Sequence, residues 1–240
     1  MDTVKWKHGN TRMIAHRGAS SLETENTMAA FVAAGNRTYF GIETDVHVTK
    51  DGQFILYHDD TTVRLAKADL PIEASDYSTL RALYLNDLGN IADRVDLHMP
   101  SLTEYIGVCK KYEKIAVLEL KNRIETEKIA EIVQTIKSMG YFDSVIFISF
   151  QMENLKDLKT IDATAQAQFL TSDAIDESVI AELVKWKIDI DAEYCLLSRA
   201  LVERLHQNGI CVNCWTCDDA DDAYALAEMG VDMITSNCLE

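Results

Sequence analysis

Residues 41–60 read GIETDVHVTKDGQFILYHDD. If the first half of this stretch is a strand, Glu43 and Asp45 point to the same face, because strand side chains alternate with a period of two. Two carboxylates on one face repel each other unless a cation lies between them, and a divalent metal ion is the obvious candidate. Asp51-Gly52 is a strong turn signal between two apolar runs. We therefore predict a β-hairpin that brings His58 back to roughly the level of Glu43.

Short apolar runs rich in β-branched residues alternate with amphipathic stretches along the chain. The runs predict eight strands, at residues 12–16, 41–46, 115–120, 145–149, 165–170, 188–192, 210–215 and 231–235. The stretches between them predict helices at residues 24–35, 101–112, 126–139, 152–161, 177–186, 198–207 and 219–229. This alternation indicates the α/β class and a TIM (β/α)₈ barrel. A doubly wound open sheet is the alternative, and the lack of a glycine-rich dinucleotide fingerprint after the first strand disfavours it.

The chain of 240 residues is long enough for one large domain or two small ones, and α/β barrels often reach this length as one domain. We predict a single barrel domain over residues 1–240. Residues 60–98 do not follow the alternation, since they are mixed and polar, with one helical pattern near residues 76–83. We interpret them as an insertion after the hairpin. In a barrel, such a segment covers the active mouth at the C-terminal ends of the strands.

The composition limits the class of partner. Apolar residues make up 48% of the chain, enough for a sizeable core, and 23 basic against 39 acidic residues give a net charge of −16. This acidic surface argues against nucleic-acid binding and against docking on anionic lipid, because both need clustered lysine and arginine. A phosphate-bearing small molecule would need a local positive centre, which a metal ion supplies.

Compartment signals are few. The residues at the N-terminus lack the apolar segment of a signal peptide, and no apolar run approaches the length of a membrane span. Six cysteines without a secretory signal are expected to be reduced thiols. We therefore expect a cytoplasmic protein without stable membrane association.

Charged residues recur at the ends of the first three strands of the predicted barrel. His16 ends the first strand, and Glu119 and Lys121 share a face at the end of the third. Catalytic groups of barrel enzymes lie at these strand ends. The ordinary alternatives are a mutual ion pair of Glu119 with Lys121, a solvent-facing edge for the carboxylates of the second strand, and structural histidines. All these side chains are expected on one rim of the barrel, and this convergence argues against the three ordinary alternatives.

The residue types on this rim suit one kind of chemistry. Three carboxylates with no nearby cysteine pattern suit a hard divalent cation, Mg²⁺ or Ca²⁺. Two histidines suit a general acid and a general base near neutral pH, and an arginine suits bidentate phosphate binding. Together they indicate metal-assisted phosphodiester cleavage. The residues concerned are Glu43, Asp45, Glu119, His16, His58 and Arg17.

A second acidic strand end lies further along the chain. Asp189 and Asp191 are on the seventh predicted strand, and Glu193 follows them. Glu193 is one candidate to meet the polar end of a substrate. A solvent-facing side chain is the ordinary alternative, and the sequence leaves both open.

At this point the sequence resembles the glycerophosphodiester phosphodiesterase family, through motifs that follow in order along nearly the whole chain. The matching segments are His16-Arg17-Gly18, Glu25-Asn26-Thr27, Glu43-Thr44-Asp45-Val46, His58-Asp59, Glu119-Leu120-Lys121, Ser149-Phe150, Val212-Asn213-Cys214-Trp215-Thr216 and residues 230–236. The family has a barrel of this kind with a small insertion after the hairpin. This chain departs from the family at Thr24, where proline is usual. It also departs after Ile234-Thr235, where the family often has aspartate and this chain has Ser236-Asn237. These departures bear on loop shape and substrate choice.

The resemblance implies an activity and a role for nine residues. The family hydrolyses glycerophosphodiesters, such as glycerophosphocholine or glycerophosphoethanolamine, to sn-glycerol 3-phosphate and an alcohol, as part of lipid and glycerol metabolism. One divalent metal ion is implied, Mg²⁺ or Ca²⁺, with Mn²⁺ as a further candidate. The implied roles are catalytic for His16 and His58, metal-ligating for Glu43, Asp45 and Glu119, phosphate-binding for Arg17 and Lys121, and beside the glycerol moiety for Phe150 and Trp215.

Two other functional classes stay open at this stage. One is a lyase of related architecture that forms a cyclic phosphate and resembles the phospholipases D of spider venoms. The acidic surface and the lack of a signal peptide disfavour it. The other is a non-catalytic barrel that binds a phosphodiester, which the presence of both histidines disfavours. The sequence also leaves open the preferred alcohol, the identity of the acid and the base, the attacking oxygen and the oligomeric state.

Overall fold

The computed structural model describes residues 2–89 and 94–240, so residues 90–93 of the predicted insertion lie outside the described residues. The strands are β1 (Arg12–Ala15), β2 (Gly41–Val48), β3 (Phe54–Leu56), β4 (Ile115–Leu120), β5 (Val145–Ser149), β6 (Gln166–Thr171), β7 (Asp189–Glu193), β8 (Val212–Trp215) and β9 (Met233–Ser236). The helices are α1 (Met28–Gly35), α2 (Tyr77–Arg81), α3 (Leu102–Tyr112), α4 (Thr126–Ser138), α5 (Met152–Ile161), α6 (Glu177–Trp186), α7 (Arg199–Gln207) and α8 (Ala220–Met229).

The sheet closes on itself. The ring runs β1-β2-β4-β5-β6-β7-β8-β9, and β1 pairs in parallel with both β2 and β9. β3 lies outside the ring and pairs antiparallel with β2, with Val46 opposite Leu56. The prediction of a TIM barrel with a hairpin after the second strand is therefore confirmed, and closure of the ring excludes the open sheet.

Two apolar layers hold the barrel together. Strand residues that face outward pack against the helices, as Phe147 and Ile190 do, and this layer forms the largest part of the core. Residues that face inward form a smaller cluster, which comprises Ile14, Val117, Ile146, Ile148, Leu170 and Met233. Parallel barrels bury both faces of each strand, which explains why the strands appear in the sequence as nearly continuous apolar runs.

The hairpin forms where the turn signal predicts it. Gly52 has a φ of +75°, a left-handed conformation that glycine adopts without steric cost. The Thr49 hydroxyl accepts a hydrogen bond from the Gln53 amide at 3.0 Å and donates one to Asp51 Oδ1 at 2.6 Å. Beyond the pairs of the ladder, the Tyr57 amide donates to the Asp45 carbonyl at 3.1 Å, so His58 arrives beside the end of β2.

The first helix is shorter than the sequence predicts. The prediction starts it at residue 24, but α1 begins at Met28, where the Thr27 hydroxyl accepts a hydrogen bond from the Ala30 amide. Asn26, with a φ of +53°, cannot belong to a right-handed helix. The other predicted helix starts lie within two residues of those observed, and α3 has the expected capping box between Ser101 and Glu104.

The insertion has a small core of its own, in which Ile72, Leu80 and Leu97 pack against the buried side of β3. Two hydrogen bonds tie it to loops that leave the C-terminal ends of strands: Thr24 Oγ1 donates to the Asn86 carbonyl at 2.8 Å, and Asn122 Nδ2 donates to Glu73 Oε1 at 3.0 Å. The insertion therefore lies at the C-terminal end of the barrel. No helix in the described part of the chain has the length and apolar character to cross a bilayer.

Candidate active site

Three carboxylates converge at the C-terminal end of the barrel. The register of the parallel pair β2 and β4 places Asp45 opposite Glu119, so both side chains face inward, and Glu43 faces inward two residues earlier. All three are buried, and one oxygen of each lies within 4.8 Å of an oxygen of the other two. The three predicted ligands therefore lie together, as the period-two spacing of the strands predicts.

Two cations lie against these carboxylates. Lys121 Nζ is 2.9 Å from Glu119 Oε1 and 3.6 Å from Asp45 Oδ1, and Arg17 Nε is 3.7 Å from Asp45 Oδ2. The ion pair considered as an alternative for Glu119 and Lys121 therefore forms within the cluster. Burial, together with the charge of Asp45, raises the pKa of Glu43 well above its usual value and also raises the pKa of Glu119.

The cluster fits a divalent metal ion. Asp45 Oδ1 is buried and has no hydrogen-bond partner within the described residues, and two cationic side chains are too few for three carboxylates. The donor set consists of carboxylate oxygens alone, which hard cations such as Mg²⁺ and Ca²⁺ prefer. Glu43, Asp45 and Glu119 are thus able to hold one such ion.

The loop after β1 has a strained backbone that aims Arg17 at the cluster. Arg17 has a φ of +56°, and its backbone N–H donates to Glu43 Oε2 at 2.8 Å. Gly18 follows with a φ of +82°, and a Cβ on it would lie 2.7 Å from the Ala30 carbonyl carbon. Glycine is therefore required there for both conformation and space. Strain of this kind is retained where the surrounding structure fixes a functional geometry.

Asn26 orients one of the three carboxylates. Its Nδ2 donates to Asp45 Oδ2 at 2.7 Å, and its Oδ1 accepts from the Thr44 hydroxyl at 2.7 Å. Asn26 is completely buried. Asn26 belongs to the Glu25-Asn26-Thr27 motif, but the local sequence assigns it no role. Its role depends on its left-handed backbone conformation just before α1, which asparagine tolerates better than most residues. This conformation is visible in the structure but not in the sequence.

His16 presents a single free nitrogen. Its Nδ1 lies 2.8 Å from Asn237 Oδ1, and Asn237 Nδ2 donates to Asp218 Oδ2 at 2.6 Å. Because the carboxylate fixes the amide of Asn237, its oxygen must face the ring, so His16 donates from Nδ1 and Nε2 keeps its lone pair. Burial, with the charge of Arg17 adding to it, lowers the pKa of His16 to about 4.

His58 has the same arrangement with a charged partner. Its Nδ1 is 2.7 Å from Asp59 Oδ1, so Nδ1 donates and Nε2 is again the free nitrogen. Burial lowers the pKa of His58, as do Arg17 and Lys121, while Asp45 opposes them. The two rings thus differ in their support: an amide oxygen for His16 and a carboxylate for His58.

One arginine of the insertion joins the supports of His58 and Arg17. Arg64 Nε donates to Asp59 Oδ2 at 2.6 Å, and its two Nη atoms each donate to Glu25 at 2.8 Å. Glu25 in turn accepts from Arg17 Nη1 at 2.8 Å. This role of Arg64 could not be predicted, because nothing in the local sequence pattern shows that the insertion folds back onto this loop.

These side chains surround a small cavity of about 110 Å³. Phe150 and Trp215 form one wall, with their ring centroids 5.5 Å apart in an edge-to-face contact. Seven of the nine residues singled out from the sequence line the cavity, while Asp45 and Lys121 contact those that do. The seven are His16, Arg17, Glu43, His58, Glu119, Phe150 and Trp215. Asp191 also lines it, whereas Glu193 does not.

Comparisons with known proteins find related sequences along nearly the whole chain. The sequence profile of the Glycerophosphoryl diester phosphodiesterase family matches residues 16–240. The glycerophosphodiester phosphodiesterase of Caldanaerobacter subterraneus subsp. tengcongensis is 28% identical over 231 residues, which cover 95% of this chain and 94% of that relative.

Solved structures share the fold. A phosphodiesterase of Oleispira antarctica, in complex with the product sn-glycerol-3-phosphate, superposes with a TM-score of 0.82 at 24% identity, covering 94% of this chain and 92% of that one. A glycerophosphodiester phosphodiesterase of Parabacteroides distasonis has a TM-score of 0.79 at 26% identity, covering 95% of this chain and 93% of that one.

Proposed function

We propose, because the chain belongs to the Glycerophosphoryl diester phosphodiesterase family, that it is a metal-dependent enzyme that hydrolyses glycerophosphodiesters to sn-glycerol 3-phosphate and an alcohol. Family membership and the named relative support hydrolysis of glycerophosphodiesters. One observation carries the finer proposal: two carboxylates of the buried triad, Glu43 and Glu119, line the same small cavity as His16 and His58.

Glu43, Asp45 and Glu119 would hold one divalent ion, Mg²⁺ or Ca²⁺, with Mn²⁺ also compatible with oxygen ligands. When bound, the ion supplies positive charge to the phosphoryl group. Arg17 and Lys121 would add to that charge from the protein side, since both already lie against Asp45. Charge that is fixed in place before the reaction stabilises the charge that develops on phosphorus without further reorganisation.

His16 and His58 divide the proton transfers. We assign the base to His16, because burial and the neighbouring Arg17 favour its neutral form. His58 is the acid, because the Asp59 carboxylate stabilises a protonated ring. His16 Nε2 takes the proton from the attacking oxygen, and His58 Nε2–H gives a proton to the leaving alkoxide. Each transfer contributes on the order of 10²–10⁴-fold to the rate.

The attacking oxygen belongs either to water or to the glycerol hydroxyl next to the phosphate. The same base serves both, because each nucleophile loses one proton as it attacks phosphorus. The first route releases sn-glycerol 3-phosphate directly, and the second passes through a cyclic phosphate that water then opens. Phe150 and Trp215 would pack against the carbon chain of the glycerol moiety.

A substrate panel tests the proposal. The purified protein is incubated with glycerophosphocholine or glycerophosphoethanolamine and with Mg²⁺, Ca²⁺ or Mn²⁺, and release of sn-glycerol 3-phosphate is measured with a coupled dehydrogenase. We expect turnover that EDTA abolishes. No turnover with any pair would favour the non-catalytic phosphodiester-binding barrel, and a cyclic phosphate that accumulates in the phosphorus NMR spectrum would favour the lyase. The cytoplasmic location stays a prediction from the sequence.

A further inference from the structure

Asp191 is a buried carboxyl group for which the mechanism has no use. It lies on β7, its side chain is 2% exposed, and its Oδ1 has no hydrogen-bond partner among residues 2–89 and 94–240. Asp189, a partly buried acid on the same strand, differs in this respect, because it accepts the Cys211 amide at 2.8 Å. A buried acceptor without a partner is costly, so a native protein retains one where a ligand supplies the donor.

The carboxyl group faces the cavity. Asp191 lies opposite Asn213 in the register of β7 and β8, and it lines the cavity together with Trp215 and Leu170. The Asn213 amide does not satisfy it, because its Nδ2 donates to Gln168 Oε1 at 3.0 Å instead. β7 lies four strands from β2 in the ring of eight, so Asp191 faces the metal-binding carboxylates from the other side of the barrel.

The chemistry of this position selects a hydroxyl donor. The cations near Asp45 attract the phosphate to the opposite side of the cavity, so Asp191 faces another part of the substrate. Trp215 is already tied to the same residue, since its Nε1 donates to the Asp191 carbonyl at 3.1 Å, and Ile148 and Leu170 of the cavity wall are apolar. Next to the phosphate of a glycerophosphodiester, the glycerol moiety provides neutral hydroxyl donors that are small enough for this end of the cavity.

We propose that Asp191 is a specificity-determining residue whose side chain accepts a hydrogen bond from a glycerol hydroxyl, so that the site prefers a polyol phosphate to an alkyl phosphate of the same size. This inference rests on the proposed function of the same cavity. A site built to hydrogen-bond a hydroxyl discriminates strongly against the analogue that lacks it, because the buried acceptor is then left unsatisfied.

The test compares two ligands that share a phosphate. Binding of sn-glycerol 3-phosphate and of propyl phosphate to the Mg²⁺-loaded protein is measured by calorimetry for the wild type and for Asp191→Asn, Asp191→Leu and Asp189→Asn. Binding avoids a difficulty of rate measurements, because an analogue without hydroxyls could also lack the nucleophile. Asp189→Asn is the matched control, since it changes a partly buried acid on the same strand that already has a partner.

We expect the wild type to prefer sn-glycerol 3-phosphate at least roughly tenfold, the lower end of such discriminations. Asp191→Leu should remove the preference, Asp191→Asn should retain part of it through its amide oxygen, and Asp189→Asn should keep it. The melting temperature of Asp191→Leu should equal or exceed that of the wild type, because an unsatisfied carboxyl is removed. Equal weakening of both ligands with a lowered melting temperature would show a structural role and overturn the proposal.

Three further outcomes are informative. If Asp191→Leu lowers kcat/KM for glycerophosphoethanolamine but leaves the ligand preference intact, Asp191 holds the cationic leaving alcohol, and the proposal is wrong. If the wild type shows no turnover but the preference exists and depends on Asp191, the proposed function fails while the assignment of Asp191 stands. Turnover with a preference that is independent of Asp191 overturns the assignment alone.

Discussion

Two histidines line the cavity, and the Nδ1 of each has a different support. We predict that His16→Ala and His58→Ala each lower kcat on the order of 10²–10⁴-fold, since each removes one proton-transfer group. Binding of Mg²⁺, measured by calorimetry, should persist in both variants, because neither ring belongs to the carboxylate triad. His206→Ala is the control, since that histidine lies on α7 and bonds Asp232 instead of the site.

Retention of wild-type kcat by either variant would contradict the acid–base assignment. Loss of Mg²⁺ binding would point instead to a histidine that ligates the metal.

The conservative variant Asp59→Asn tests whether the charge of Asp59 matters for the role of His58. It should lower kcat by less than His58→Ala does, because the amide oxygen of asparagine still accepts from Nδ1 but no longer stabilises a charged ring.

His16 should also make the stability of the metal-free protein depend on pH. Its folded pKa of about 4 lies below the ordinary value of 6.5, so between these values the unfolded chain binds a proton that the folded chain does not. The stability that His16 contributes is therefore present above pH 6.5 and is lost as the pH falls towards 4. Between pH 7.5 and pH 5 the loss amounts to about 2 kcal/mol at most.

This effect is measured as a difference between two proteins. The free energy of unfolding is obtained from urea titrations in EDTA at pH 7.5 and pH 5, for the wild type and for His16→Gln. Other groups titrate equally in both proteins, so we expect the wild type to lose more stability than the variant. Equal losses would mean that His16 takes up its proton as readily in the folded protein as in the unfolded chain.

Among the elements, the insertion is the one that reaches into the catalytic rim. Arg64 holds Asp59 and Glu25, which in turn hold His58 and Arg17. We predict that Arg64→Ala lowers kcat roughly 10-fold, as loss of a supporting contact commonly does. The free energy of unfolding should change by no more than about 1 kcal/mol, because Arg64 is partly exposed.

The insertion offers a matched control for this prediction. Arg94 is a second arginine of the segment, and it pairs with Glu23, Asp87 and Asp96, none of which contacts a catalytic side chain. Arg94→Ala should therefore leave kcat unchanged in a steady-state assay. Equal effects of the two variants would show that the insertion acts through its general stability and not through the supports of His58 and Arg17.

Much of this architecture could be predicted from the sequence. The strand runs, the Asp51-Gly52 turn and most helix starts follow from local preferences that the fold does not override. The triad followed from period-two spacing within β2 and from strand ends in a barrel, which place Glu43, Asp45 and Glu119 on one rim. The start of α1 was wrong because the contacts of Asn26 with the site fix a left-handed backbone there.

The supports of the site could not be predicted in the same way. Arg64, Asn237 and Asp191 owe their positions to segments that are distant along the chain: the insertion, the C-terminal loop and the opposite strand of the barrel. Local patterns carry no information about such contacts. The second acidic strand end drew attention to Glu193, yet the residue of that strand that lines the cavity is Asp191. Which inward-facing residue of β7 reaches the cavity depends on its distance along the barrel axis. That distance is known only from the closed barrel.

For the whole molecule, the carboxylate triad joins catalysis to stability. Glu43 and Asp45 on β2 lie beside Glu119 on β4, so a bound ion would tie two neighbouring strands of the ring together. Without the ion, three buried acids share two cationic partners, and the cluster opposes folding. The carboxylate triad thus lowers the stability of the metal-free protein, and a bound metal ion would restore it. Functional sites commonly reduce stability in this way.

Metal binding should therefore raise the melting temperature. At a free Mg²⁺ concentration of 100 times Kd, one site adds about 2.7 kcal/mol, which corresponds to roughly 5–10 °C for a domain of this size. Glu43→Gln should abolish this shift and yet melt higher than the wild type in EDTA, because it removes an acid that burial and the charge of Asp45 disfavour, while its amide oxygen can still accept the Arg17 N–H. Glu228→Gln, at an exposed position on α8, should keep the full shift. A Glu43→Gln protein that melts lower than the wild type in EDTA would mean that the triad is not a source of repulsion, and an undiminished shift in that variant would place the metal elsewhere.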